Sequence, residues 1–589
     1  MSNIASPTSS ENSNSAQTPG PLTRGRGRPK RTKRNLADDE NNESSLATEA
    51  ATHISRGDEN SLFSQLMKAS ASSRGLTTSN ALIATITKIV DFWAEEYDNS
   101  RSDGLQKIIQ FIMHSAGCKG KVDKSLYESH IGAGFSNLIA RMVENFDEEN
   151  AEYPFATSNA AYRKFKLAFN EFVGILVRQC QRDIIYDAYL MDNVIQLLTE
   201  MCNSKVRAFR HTSSIASMKL MTALVKVALT LHGNLETTNR SLEVEENKSS
   251  RAKSSNKIKA LNSRKKELED QSSEIEDMLN SIFKGIFAHR YRDVVAEVRA
   301  CCMEEIGNWM HIFPKIFLTD SYLKYVGWTL NDKVKDVRMK CITSLLNLYK
   351  ENDLYKELNL FTKRFKSRLI SMTADKENDV AVSATKLCTT IIQNFRNEEI
   401  FTREECESVY MLVFCNHRPL AIASAEFLWE KIFANDELEL NKELEEVSST
   451  GKKGKNAKKT NKSSNSRSKR IPLITTLVYF YLESELHEHT RYLVDALWET
   501  SAHSLLRDWP AMTDLLLNEP LENEEKLEAN AESALIDLML STVVHASRGP
   551  PPARTGVSKR SNITIKEKNK IDADVLERGV LWWGRICFI

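Results

Sequence analysis

Between Phe155 and Thr450 the chain holds two prolines, Pro314 and Pro419, and five glycines, Gly174, Gly233, Gly285, Gly307 and Gly327. Sheet proteins need turn residues every ten or so positions, and α/β proteins need glycine where strands turn into helices. A stretch this poor in both is built from helices. The expected fold class is all-α.

Repetition converts helices into an architecture. Three segments share a pattern: DVVAEVRACCMEEIGNW from Asp293, DKVKDVRMKCITSLLNLY from Asp332 and DKENDVAVSATKLCTTII from Asp375, with a weaker copy, PLAIASAEFLWEKIF, from Pro419. Each opens on a polar turn, and its helix carries apolar residues at i, i+3/i+4 and i+7. The aligned positions Val298, Val337, Val380 and Leu420 recur at intervals of 39, 43 and 40. A helical period near 40 with a D…VR signature at the second helix is that of HEAT-type helix pairs. A single pair cannot bury its own apolar face, so pairs stack into a solenoid. Val206 and Arg207, in NSKVRAFRHTSSIASMKLM, fit an earlier unit. Between residues 234 and 284 the period breaks. Leu261, Leu268, Ile275 and Ile282 recur every seven residues among charges, as in one long charged helix with a single apolar seam. It reads as an arm projecting from the solenoid.

The remaining boundaries follow from composition. Residues 1–75 are Ser/Thr/Asn-rich and apolar-poor and read as a disordered basic tail. N-terminal helical repeats fill 76–233, three repeat units span 285–395, and a further repeat spans 396–440. Residues 441–470 are a low-complexity acidic and basic loop, with nine basic residues and no acid between Lys452 and Arg470. Helical repeats resume at 471–546, and 547–589 is a diverged tail. No apolar run approaches the ~20 residues of a membrane helix.

Enzymatic signatures are missing from the sequence. There is no phosphate-binding G-x-x-x-x-G-K-[ST], and Gly132-Ala133-Gly134 lacks the third glycine of a dinucleotide fingerprint. His487 and His489 are two apart rather than the four that H-E-x-x-H requires. The ten cysteines form no C-x-x-C pair, which argues against zinc fingers and disulfide scaffolds. No catalytic residue, metal or cofactor is assigned. The 80 Lys and Arg nearly cancel the 79 Asp and Glu, so nucleic-acid binding must come from local patches.

Three local features point to binding. Arg26-Gly27-Arg28-Pro29-Lys30 matches the AT-hook core R-G-R-P, whose extended strip lays arginines along a narrow A·T minor groove; a nuclear-import signal is the compatible alternative. Arg163, Lys164, Lys166, Lys205, Arg207 and Arg210 cluster at helix starts in early repeats. They are either a second DNA surface or an ordinary solvated face. In the helix from Asp320, Leu323, Val326 and Leu330 share the core stripe at about 100° per residue, leaving Asp320, Lys324 and Trp328 on the opposite side. One unit on, Leu358, Phe361, Phe365 and Leu369 form a core stripe with Arg364 on its flank. Stacked first helices let Arg364 reach Trp328, giving a cation–π surface for a peptide aromatic. Tyr291 can close the third side, and Phe365 can add its edge. The alternative is that Trp328 packs against the neighbouring pair.

The segments AHRYRDVVAEVRACCMEEIGNWM and DSYLKYVGWTLNDKVKDVR resemble the stromalin signature of the STAG (stromal antigen) family, the HEAT-repeat accessory subunits of cohesin. RKFKLAFNEFVGILVRQCQ, VRAFRHTSSIASMKLMTALV, FTKRFKSRLISMTADKENDVAV and YFYLESELHEHTRYLVDALWE resemble it too, so the likeness runs from about residue 80 to 572. It implies a non-catalytic subunit that binds the cohesin kleisin and, through it, the SMC ring. It further implies contact with double-stranded DNA and a role in sister-chromatid cohesion and chromosome segregation, in the nucleus and on chromosomes including centromeres. In the family, the residues matching Tyr291, Asp320, Lys324, Trp328 and Arg364 receive F/Y-x-F peptides from regulators such as shugoshin and the insulator protein CTCF. The likeness fades after KEKNKIDADV, and the ending GVLWWGRICFI is expected to mark a truncated or alternative form with impaired cohesin assembly. A HEAT-solenoid nuclear transport receptor, or another chromatin scaffold, is the competing function, distinguishable by capture of a Ran-type GTPase in place of a kleisin.

Overall fold

The structure is a computed structural model that describes residues 60–72, 79–123, 135–144, 146, 153–248, 255–396, 398–434, 470–485, 489–518 and 526–551. The AT-hook residues Arg26 to Lys30, most of the 441–470 loop and most of the 547–589 tail lie outside this set. Among the described residues there are helices and no strand.

Seven helices lead into the repeats: α1 (Leu62–Ala71), α2 (Asn80–Asn99), α3 (Arg101–Ser115), α4 (Ser136–Glu144), α5 (Ala160–Cys180), α6 (Leu190–Cys202) and α7 (Arg207–Glu246). Then come α8 (Ser255–Ile282), α9 (Ala296–Ile312), α10 (Asp320–Thr329), α11 (Lys335–Lys350), α12 (Asn359–Ser371), α13 (Asn378–Asn394), α14 (Arg403–Tyr410) and α15 (Arg418–Leu428). Four longer helices close the described chain: α16 (Ile471–Glu483), α17 (Thr490–Trp498), α18 (Trp509–Leu517) and α19 (Ala529–Arg548). Local chemistry sets their starts. Ser79, Ser100 and Asp508 cap α2, α3 and α18 through their side chains, and Thr402 with Glu405 forms a capping box at α14.

Two rows of helices make the solenoid. Helices α5, α7, α9, α11, α13, α15 and α17 lie side by side in one row, and α10, α12 and α14 form a second. Between the rows sit the stripes anticipated from periodicity: Leu323, Val326 and Leu330 are buried, as are Val298, Val337 and Val380. A continuous core runs from Leu62 to Phe427, and a second runs from Val413 to Met539. The chain is an all-α HEAT-type solenoid.

An arginine–aspartate ladder ties successive units together. Asp293, Asp332 and Asp375 each accept the backbone N–H two residues on, shaping the turn into α9, α11 and α13. Ser204 does the same for Val206 at α7. Each following arginine donates to carbonyls of its own turn and to the aspartate of the next unit: Arg210 to Asp293 (2.9 Å), Arg299 to Asp332 (2.6 Å) and Arg338 to Asp375 (2.7 Å). The ladder stops at α13, where Ala381 takes the arginine position. It also corrects the register of the early unit. Arg210, not Arg207, is equivalent to Arg299, because both stand four residues beyond their N-cap valines, Val206 and Val295.

The arm differs from a lone helix starting at residue 234. α7 runs unbroken through Gly233, and α8 folds back along it as a hairpin. Leu268, Ile275 and Ile282 are buried on this seam, with Met278 and Leu279 beside them. A five-residue π-helical turn, Phe283–Phe287, then carries the chain back to the solenoid. α7 also overturns the expectation of no membrane-length apolar run: an 18-residue window has mean hydropathy 1.5. Because 67% of that window is buried, its apolarity is explained by packing on several neighbours at once.

Candidate functional site

The groove lies where α10 meets α12. It measures about 610 Å³ and is lined by Asp320, Ser321, Lys324, Trp328, Arg364 and Phe365. Trp328 is 53% exposed, although a large indole is normally among the more buried side chains. Helical spacing produces this. With Leu323 and Val326 in the core, Trp328 has no inward direction left.

Behind Trp328 stands an aromatic stack. Tyr325 meets the indole edge-on at 5.6 Å, Tyr291 lies 6.5 Å away, the buried Phe287 lies behind them, and the partly buried Phe283 and Tyr322 extend the stack. The ring is held from behind and free in front. Tyr291 precedes α9 and closes the inner edge of the stack, not a wall of the groove itself. On the other bank Phe365 is only partly buried: it packs against the core beside Phe361 and also lends its ring to the groove. Its ring lies against Gly327, where any Cβ would come within 2.1 Å of Cζ. Gly327, Ser321 and Tyr325 were not singled out from sequence. A glycine inside an otherwise apolar helix was the available signal, since it marks a close approach.

Charge is arranged differently from expectation. The cation over the indole is Lys324, with Nζ 5.9 Å from the Trp328 centroid and 5.2 Å from that of Tyr325. Arg364 lines the opposite side of the groove and does not stack on Trp328. A lysine on the same helix reaches its neighbour's face across one turn, while a residue on the next helix must span the groove. The arrangement offers an aromatic floor with a carboxylate, an ammonium and a guanidinium around it. It suits a peptide aromatic flanked by polar main chain.

The basic cluster is only partly available. α5 and α7 begin side by side, and Lys166, Arg207 and Glu297 all act on the same buried His211. Arg163, Lys205 and Arg207 are exposed, and Lys164 is partly buried. Arg210 is partly buried and is drawn inward by its pair with Asp293, which is itself buried. Lys166 donates to the Thr157 carbonyl at 3.2 Å, and burial, with help from Arg163, lowers its pKa. Arg207 lies 3.7 Å from Glu297. Among the described residues, no group of three or more His, Cys, Asp or Glu side chains could hold a metal ion.

Three family models match the chain: the STAG domain over residues 151–264, the stromalin conservative domain over 292–366, and the cohesin subunit SCC3/SA HEAT-repeats domain over 492–577. Cohesin subunit SA-1 of Xenopus laevis is 45% identical over 487 residues, covering 82% of this chain and 36% of that protein. Cohesin subunit SA-3 of Homo sapiens is 42% identical over 82% of this chain and 37% of its own length. Cohesin subunit scc-3 of Caenorhabditis elegans is 33% identical over 83% and 42%. The chain thus spans little more than a third of the vertebrate relatives it matches. Among solved structures, cohesin subunit Scc3 from Z. rouxii superposes with a TM-score of 0.66 at 18% identity, covering 86% of this chain and 57% of that one, a likeness of fold. The stromalin conservative domain contains the whole of the Trp328–Arg364 groove. The chain belongs to the stromalin (STAG/SCC3) family.

Proposed function

We propose that this chain is a non-catalytic cohesin subunit. It binds the kleisin, contacts DNA, and recruits regulators through the Trp328 groove in sister-chromatid cohesion and chromosome segregation. Its place is the nucleus and the chromosome. The observation that carries the reading is the half-exposed indole, backed by Tyr325 and Tyr291 and facing Phe365 across a charged groove. In an extended peptide, residues i and i+2 point the same way about 7 Å apart. Two aromatics spaced as in F/Y-x-F can therefore rest one on Trp328 and one against Phe365. Arg364 and Asp320 are then left to pair with main chain or flanking charge. Buried aromatic anchors ringed by polar contacts give most of the affinity in such sites.

The test is fluorescence anisotropy with a labelled F/Y-x-F dodecapeptide. Trp328→Ala is expected to weaken binding at least tenfold, about 1.4 kcal/mol or more, with the melting temperature within a degree or so of the parent. An unfolded or strongly destabilised variant would make Trp328 a packing residue and end the groove reading. Co-precipitation of the full chain with a cohesin kleisin checks assembly separately.

DNA contact is assigned to the R-G-R-P strip Arg26–Lys30 and, on the folded body, to Arg163, Lys164, Lys205 and Arg207. Arg210 and Lys166 are left out because their polar groups are committed internally.

A further inference from the structure

We infer that a polar groove across α5, α7, α9 and α11, separate from the Trp328 site, binds an extended peptide segment of a partner protein by its main chain. Two clefts make it up. The larger, about 770 Å³, includes Asn170, Arg178, Lys219, Lys226 and Glu305; the smaller, about 330 Å³, includes Lys340, Asn347 and Lys350; Asn308 lies in the wall of both. The four helices are consecutive neighbours in one row of the solenoid, so the groove crosses three helix–helix seams.

Amides give this groove its chemistry. Asn308 and Asn347 stand at the same distance beyond their N-cap valines, Val295 and Val334, so they occupy equivalent positions one repeat apart. Both are exposed. Neighbouring helices pack about 8–10 Å apart, and roughly three residues of extended chain cover that distance. A carboxamide carries a donor and an acceptor together, the pair needed to hold one peptide unit. Asn170 adds a buried Oδ1 with no hydrogen-bond partner, an acceptor in want of a donor. Beside it, nothing lies within 4 Å of where a Cβ on Gly174 would stand, leaving room for backbone.

The charges favour a peptide over a nucleic acid. Glu305 is fully buried and satisfied by Lys219 and Thr222, so it leaves no free charge. Glu304 is likewise paired with Lys340, whereas Glu171 and Glu351 also line the clefts, and a row of phosphates would be repelled by them. Among the described residues no carboxylate pairs with Arg178, Lys226 or Lys350. The occupant is therefore an extended, polar peptide with an acidic side chain over Arg178 and Lys226.

The test is selection of 12-residue peptides from a displayed random library on the full chain, followed by anisotropy on the synthetic winners. Winners are expected to carry Asp or Glu at a fixed position. They should lose at least tenfold in affinity to Asn308→Ala/Asn347→Ala and to Lys226→Glu, and keep full affinity for Trp328→Ala. N-methylation of alternate peptide nitrogens should abolish binding, since it removes main-chain donors. If the double alanine variant melts early, Asn308→Asp/Asn347→Asp serves instead, keeping size while deleting both N–H donors. Winners that bind parent and variants equally would overturn the proposal. So would tight binding of a 20-nucleotide RNA or a 20-base-pair duplex that is lost in the asparagine variants, which would make the groove a nucleic-acid track. Survival of binding in Trp328→Ala separates this groove from the regulator site, so either reading can fail alone.

Discussion

Gly327 ties the shape of the groove to the packing behind it. Its missing side chain lets the Phe365 ring rest against α10, where a Cβ would stand 2.1 Å from the ring. Gly327→Ala is expected to push Phe365 out, at a cost of about 1–3 kcal/mol, and to weaken F/Y-x-F peptides. Adding Phe365→Leu should return stability but not affinity; recovery of both would show that Phe365 is no part of the site. His211 is a second residue whose setting makes a measurable difference. It is buried, with Nδ1 2.8 Å from the Tyr153 hydroxyl, and burial, opposed by Glu297, lowers its pKa to about 4 from the ordinary 6.5. Between those values the unfolded chain takes up a proton that the folded chain refuses, so stability falls as pH drops from about 6.5 towards 4, by up to about 1.4 kcal/mol per unit. Urea titrations across that range should show the slope, and His211→Phe should flatten it.

At the scale of the element, helix pairs are joined by ion pairs as well as by apolar faces. Arg338 is 4% and Asp375 7% exposed at the side chain, and each is satisfied by the other and by its own turn. Removing one partner strands a buried charge, which typically costs about 3–5 kcal/mol. Arg338→Ala is expected to destabilise the solenoid by that order, and Arg338→Met with Asp375→Asn by less; equal losses would mean that the arginine acts by packing alone. Burial pushes the Asp332 and Asp375 carboxyls up, but hydrogen bonds from Arg299 and Arg338, with backbone N–H bonds, hold both below the ordinary value. Their contribution is therefore present above about pH 4 and is lost as pH falls through the folded values. α7 shows how an element can serve two neighbourhoods. Its first half is buried among α5, α6 and α9, and its second half leaves the solenoid as one arm of a helical hairpin with α8.

Across the whole molecule, the proposed function divides between a groove that would read side chains and basic surfaces that would feel charge. Lys164→Glu with Arg207→Glu is expected to lower duplex affinity and to reduce the slope of log affinity against log salt by roughly 2, about one per lost phosphate contact. An unchanged slope would leave these residues as solvated surface. Arg210→Glu should instead unfold the early units, since its partner is the buried Asp293. Much of this was legible in the sequence. Pro and Gly scarcity gave the class, a period near 40 gave the repeat, and stripe counting put Trp328 outside and Leu323 inside. Such readings succeed because helical periodicity is local: a residue's face follows from its neighbours at i±3 and i±4. What the tertiary structure alone decided is what crosses between helices. Lys324 rather than Arg364 covers the indole, Phe365 rests on Gly327 at the edge of the core, Arg210 turns inward to Asp293, and the arm is a hairpin. Phe365 meets a partner 38 residues away and Arg210 one 83 residues away, and one-dimensional spacing carries no such contact.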